Sequence, residues 1–271
     1  MKDNLENTPL QFKQIPAFTD NYLWAIVQNH QAWVVDPGDA TPIIDLFERE
    51  NIALKGILIT HHHNDHIGGV EKLLAWAKSF VTFAGPLHPS MPRLTRVLQD
   101  LDEIELFPQV IARVMAVPGH TLSHLAYYMP QSELLSVPRL YCGDTLFATG
   151  CGRLSEGTPT QMQKSLDRFA QLPAETLVCC AHEYTLANIK FALHVDGNNS
   201  DLLAWSLQAQ ALRDQQLPTV PTTIGLEKTV NPFMRSDSPS IIATAQAHSE
   251  LSLQNKEDVL AVIRKMKDQF K

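Results

Sequence analysis

Residues 60–66 read Thr-His-His-His-Asn-Asp-His, and no other stretch limits the fold and chemistry of this chain as tightly. The run follows Lys55-Gly56-Ile57-Leu58-Ile59, a short apolar segment of strand character, and leads through Ile67-Gly68-Gly69 into a helical pattern. It therefore occupies a loop at the C-terminal end of a strand, where α/β architectures place their sites. Four imidazoles and a carboxylate between His61 and His66 supply the nitrogen and oxygen donors that first-row metals prefer. Serving only as surface charge they would repel one another, and a place between strand and helix suits neither a solvated loop nor a tag remnant. A metal site follows.

Three further strand-like runs end in a potential ligand: Ala116-Val117-Pro118-Gly119-His120, Leu140-Tyr141-Cys142-Gly143-Asp144, and Leu177-Val178-Cys179-Cys180-Ala181-His182. If these ends converge on one sheet edge, His61, His63, Asp65, His66, His120, Asp144 and His182 form a set of seven ligands. Seven exceed one tetrahedral zinc and suit two ions sharing a carboxylate and a water.

The 271 residues are 44% apolar, which excludes a disordered or fibrous chain and suits one large domain with a smaller appendage. With 22 Lys+Arg against 29 Asp+Glu the net charge is -7, so nucleic acid and anionic membranes are excluded as main partners. No apolar run approaches the roughly 18 residues of a membrane span, and the opening residues lack the apolar stretch of a secretory signal. A cytoplasmic protein is expected, and a monomer. Four cysteines, Cys142, Cys151, Cys179 and Cys180, read as reduced and buried rather than as a disulfide framework.

From Gln11 to His182 short β-type runs alternate with helical ones, the helices following Thr41-Pro42, Gly68-Gly69 and Thr158-Pro159. After His182, Leu186 to Ala211 and Ile241 to Phe270 read as helices joined by an irregular stretch, 217–232. The expected division is a domain over 1–183 and a helical domain over 184–271. In the last helix Asn255 is the expected N-cap and Val259, Leu260 and Ile263 the inward stripe. Arg264, Lys267 and Lys271 then fall on another, exposed face, a basic stripe in an acidic chain.

The THxHxDH pattern, followed by Gly119-His120-Thr121, Gly143-Asp144-Thr145-Leu146-Phe147 and His182-Glu183-Tyr184-Thr185, resembles the signature of the metallo-β-lactamase superfamily. Within it the chain is most similar to the glyoxalase II, or hydroxyacylglutathione hydrolase, family. That likeness runs from Phe18–Trp24 and Val34–Asp39 through the GCGR and EGT segments to Asn231–Arg235 and the basic tail. The resemblance implies an α/β fold, an αββα sandwich followed by a smaller C-terminal helical domain. It implies that His61, His63 and His120 hold one divalent ion, that Asp65, His66 and His182 hold a second, and that Asp144 bridges. Zinc is the first expectation, with iron and manganese also suited to the donors. His62 and Asn64 fall on variable positions of the pattern. Arg153, Tyr184, Arg264 and Lys267 match residues that contact the glutathione part of the substrate, while Ser155 stands where the family pattern is often aromatic.

The implied activity is hydrolysis of S-D-lactoylglutathione to D-lactate and glutathione, the second step of methylglyoxal detoxification. Asp65 and Asp144 would act with a hydroxide shared by the two ions, whose pKa falls toward about 7. A thiolate, with a conjugate acid of about 8.5, departs without a dedicated general acid. Two alternatives remain open: a mono-iron persulfide dioxygenase of the same superfamily, expected to differ in the helical tail, and a metal-binding module without activity, expected to have a broken ligand set.

Overall fold

The computed structural model describes residues 9–270, which divide into two compact units. One holds the chain up to Ala116 together with Leu125–Gly143, and the other holds Val117–His124 together with the chain from Asp144. Lys271 lies outside the described residues. Among them, no helix is long and apolar enough to cross a membrane.

In the first unit β1 (Gln11–Ala17), β2 (Asn21–Gln28) and β3 (Gln31–Val35) form an antiparallel meander. Then β4 (Ala53–Leu58), β5 (Thr82–Gly85) and β6 (Arg96–Val97) continue the sheet in parallel. The crossovers contain α1 (Thr41–Glu50), α2 (Asn64–Ile67) and α3 (Val70–Trp76). A second, antiparallel section runs through β7 (Glu103–Phe107), β8 (Val110–Ala116), β9 (Leu125–Met129) and β10 (Arg139–Gly143).

Residue alternation decides which side chains meet. Leu23, Ala25 and Val27 of β2 point to one face, where they share a core with Ile43 and Phe47 of α1 and Val70 and Leu73 of α3. On the opposite face Trp24 meets Tyr141 edge-on at 6.1 Å, and Trp33 Nε1 donates to the Leu106 carbonyl at 2.6 Å. Tyr127 donates its hydroxyl to the Ile59 carbonyl at 2.5 Å. Burial raises that phenol well above the ordinary tyrosine range, so it stays protonated and keeps donating. The strand carrying the histidine run is thus held from both faces. β1 lies at the edge of the sheet, which tolerates Pro16 and the polar residues of this strand.

In the second unit β11 (Leu146–Phe147) and β12 (Gly150–Cys151) form a tight hairpin. The helix expected after Thr158-Pro159 is α4 (Pro159–Ala170), started by a capping box in which Thr158 and Gln161 bond each other's backbone N–H. β13 (Leu177–Cys180) pairs with β14 (Thr222–Thr223). The single helix expected over 186–211 is two, α5 (Thr185–Asp196) and α6 (Ser200–Asp214), because Gly197 ends the first and Asn199 caps the second through the Asp201 and Leu202 N–H groups. The stretch 217–232 is not wholly irregular, since it contains β14 and α7 (Ile224–Val230). A 3₁₀ turn at Pro232–Met234 leads to α8 (Pro239–Ala247), and residues 248–255 separate this helix from α9 (Lys256–Gln269), so 241–270 is also two helices. Asn255 caps α9, as its side chain accepts the Asp258 N–H at 2.9 Å. All four cysteines are buried and none forms a disulfide.

Gly56 lies under the Trp33 ring, where an added Cβ would come within 2.3 Å of it. Gly56→Ala should therefore destabilise the protein by about 1–3 kcal/mol through overpacking, read as a lower urea midpoint at unchanged m-value.

Candidate metal centre

Asp36, at the end of β3, organises the first group of donors. Its backbone is left-handed (φ +51°) and its N–H reaches the Leu58 carbonyl at 3.0 Å, which brings its carboxylate to the end of β4. Oδ1 accepts the Thr60 N–H and Oδ2 the Thr60 hydroxyl, both at 2.7 Å. Since that hydroxyl proton is committed to Asp36, the Thr60 oxygen accepts from His61 Nδ1 at 3.0 Å. His66 Nδ1 donates to Asp36 Oδ2 at 3.0 Å. Both imidazoles are thereby held as Nδ1–H tautomers with a basic Nε2, the form that binds metals.

His61 Nε2 lies 3.1 Å from His63 Nδ1, and His66 Nε2 lies 3.5 Å from Asp65 Oδ2. Two ligands each about 2.0–2.1 Å from a zinc lie about 3.3–3.4 Å apart at the tetrahedral angle, so these separations suit shared ions. Asn21, the first residue of β2, donates to Asp65 Oδ2 at 3.1 Å. Gly38 allows the approach: a Cβ there would come within 1.7 Å of the Asp65 carbonyl oxygen. His62 stacks on His88 at 3.7 Å, and Asn64 opens α2.

The second unit holds the other donors. His120 Nδ1 donates to the Arg153 carbonyl at 2.8 Å, again freeing the Nε2 lone pair for a metal. That Nε2 is 3.6 Å from Asp144 Oδ2, and His182 Nε2 is 3.4 Å from Asp144 Oδ1. One histidine faces each carboxylate oxygen. His124 is fully buried behind it, and its Nε2 accepts the Asp144 N–H at 3.2 Å. Tyr184 stacks on the His182 ring at 4.6 Å, and Phe147 packs edge-on against both.

A cavity of about 540 Å³ is lined by His120 and Asp144 together with Arg153, Tyr184, Arg264 and Lys267. Arg264 is not the exposed cation of the sequence reading: it is 5% exposed and donates to the Cys151 carbonyl (2.9 Å) and to Asp268 (3.0 Å). Its position on α9 beside Ile263 buries the stem, and carbonyl and carboxylate partners make that burial tolerable. Lys267 donates to the Ala187 carbonyl at 2.8 Å over the Phe191 ring, and burial, with the Arg264 charge beside it, pushes its amine down to about 8.

Asp36, Asn21 and His124 support the donors and were not singled out from the sequence as site residues, although Asp36 and Asn21 stand within the quoted family motifs. His and Asp groupings of this kind can hold divalent ions.

The fold and donors define a metal-dependent hydrolase of the metallo-β-lactamase type, and the comparisons agree. The model of the metallo-β-lactamase superfamily matches residues 19–182, and that of the hydroxyacylglutathione hydrolase C-terminus matches residues 183–270. Hydroxyacylglutathione hydrolases of Cupriavidus taiwanensis and Vibrio parahaemolyticus are 46% and 42% identical to it, over 97% and 96% of this chain and 100% of theirs. The chain belongs to the hydroxyacylglutathione hydrolase family. Among solved structures, ETHE1 from Myxococcus xanthus has a TM-score of 0.66 at 21% identity, covering 94% of this chain and 91% of its own. A di-iron-bound form of TTHA1623 has a TM-score of 0.56 at 23% identity over 84% of this chain and 100% of its own. At these identities the likeness is one of fold.

Because Asp36 fixes two imidazoles at once, Asp36→Ala should lower metal affinity about 10- to 100-fold, measured by chelator competition. His62→Ala should leave it unchanged; equal loss in both variants would contradict the assignment.

Proposed function

We propose that the protein hydrolyses S-D-lactoylglutathione to D-lactate and glutathione with two divalent ions, zinc first, held by His61, His63 and His120 and by Asp65, His66 and His182, with Asp144 shared. When bound, such ions supply a water acidic enough to lose its proton near neutral pH and a positive charge for the thioester carbonyl oxygen. The observation that carries the reading is the cationic wall of Arg153, Arg264 and Lys267, with Tyr184, in the same cavity as His120 and Asp144. Glutathione has two carboxylates, and a half-buried ammonium beside a guanidinium attracts them more strongly than exposed charges would.

The chain's own residues divide the work. Asp36, Thr60 and the Arg153 carbonyl hold imidazole tautomers, and His124 holds the Asp144 backbone. The basic wall grips the carrier and leaves the acyl end toward Asp144. Residues 1–183 then supply the chemistry and 184–271 most of the grip. We take the protein to act as a cytoplasmic monomer without nucleic-acid or membrane partners, which the acidic net charge favours.

Incubating the metal-loaded protein with lactoylglutathione should release free thiol and D-lactate in equal amounts, whereas oxygen consumption with glutathione persulfide and no thioester cleavage would contradict the reading. Grip on the carrier is shared by ground and transition states, so Lys267→Ala should raise KM about ten- to a hundredfold with a much smaller change in kcat. A neutral amine attracts no carboxylate. Because the Lys267 amine is held at about 8, kcat/KM of the wild type should fall as pH rises through about 8, and the Lys267→Ala profile should lack that inflection.

A further inference from the structure

The β11–β12 hairpin turns through Ala148 and Thr149, and the turn is strained. Thr149 is β-branched and fully buried, yet its φ is +59°, in the left-handed region that such residues avoid. Something outside the hairpin has to hold it there. Glu227 of α7, 78 residues further along the chain, accepts the Thr149 N–H on Oε2 at 2.8 Å. The same oxygen accepts from Asn231 Nδ2 at 2.8 Å, and that amide also donates to the Gly150 carbonyl at 3.0 Å. The other carboxylate oxygen accepts the Thr222 hydroxyl at 2.7 Å. Glu227 is fully buried, so its acceptors have been spent on these donors instead of on water. Trp205 completes the clamp by donating Nε1 to Thr149 Oγ1 at 2.9 Å.

What the hairpin carries gives this network a purpose beyond packing. Phe147, at one side of the turn, lies edge-on against the His182 and Tyr184 rings. Cys151, at the other, offers the carbonyl that receives Arg264, and Arg153 follows two residues later with the carbonyl that orients His120. We propose that Glu227 is a positioning residue that locks the Leu146–Cys151 hairpin in the conformation that sets Phe147 against Tyr184 and Cys151 beneath Arg264, and so shapes the pocket for the substrate's carrier group. The substrate half of this inference rests on the thioesterase reading above.

The test uses the metal-loaded full chain and Glu227→Gln, which keeps the side chain's size but turns an amide N–H₂ toward one set of donors. Hydrogen exchange at residues 147–151 should quicken by about tenfold while the remaining helices keep their protection. KM for lactoylglutathione should rise about three- to tenfold, with a smaller fall in kcat. Adding Thr149→Asn should move both values back toward wild type, because asparagine occupies the left-handed region more readily and needs the lock less. Unchanged exchange at the hairpin overturns the lock, as does faster exchange spread evenly over the second unit. Faster hairpin exchange with an unaltered KM overturns the positioning role. A wild type that leaves lactoylglutathione intact counts against the thioesterase reading alone, since hairpin exchange still decides whether Glu227 holds the turn.

Discussion

The carboxylate of Asp36 is the contact on which the first group of donors depends. One side chain receives the backbone and hydroxyl of Thr60 and the imidazole of His66, and through Thr60 it sets the tautomer of His61. It can do so because β3 and β4 are parallel neighbours whose C-terminal ends lie side by side. That arrangement in turn rests on alternation along β2, β3 and β4, which puts one set of side chains under α1 and α3 and turns Trp24 and Trp33 to the opposite face. Without the sheet, Asp36 would be a buried carboxylate short of donors; without Asp36, the histidine run would be a polar loop with undefined tautomers.

The second unit solves a different problem, which is to bring positive charge to a cavity without leaving it bare. Arg264 is buried but paired to the Cys151 carbonyl and to Asp268, which offset its loss of water. Lys267 is less well compensated. Burial and the neighbouring guanidinium lower its pKa to about 8, which leaves it charged at neutral pH and sensitive just above it. The same burial makes the Lys267 amine responsive to pH and to the guanidinium beside it.

Much of this was legible in the amino-acid sequence because it is local. The strand–ligand–helix pattern around His61 to His66, the strand ends at His120, Asp144 and His182, the Pro159 start of α4 and the Asn255 cap are all short-range signals. What stayed hidden is long-range. Nothing in Val34–Asp39 alone says that Asp36 meets a threonine and a histidine 24 and 30 residues later. Helical periodicity ran through Gly197 to Asn199 because both flanking helices are apolar enough to continue the pattern, and the break shows only in the Asn199 cap. Arg264 read as surface since charge suggests exposure, whereas a carbonyl 113 residues away receives it. His124 has no ligand motif around it in the sequence, yet it supports Asp144 from behind.

The proposed chemistry depends on two ions acting together at one site. Metal-free protein titrated with zinc while the loss of lactoylglutathione is followed should gain activity up to about two equivalents per chain and show none beyond. Full activity at one equivalent, or two bound equivalents with no thioester cleavage, would contradict it.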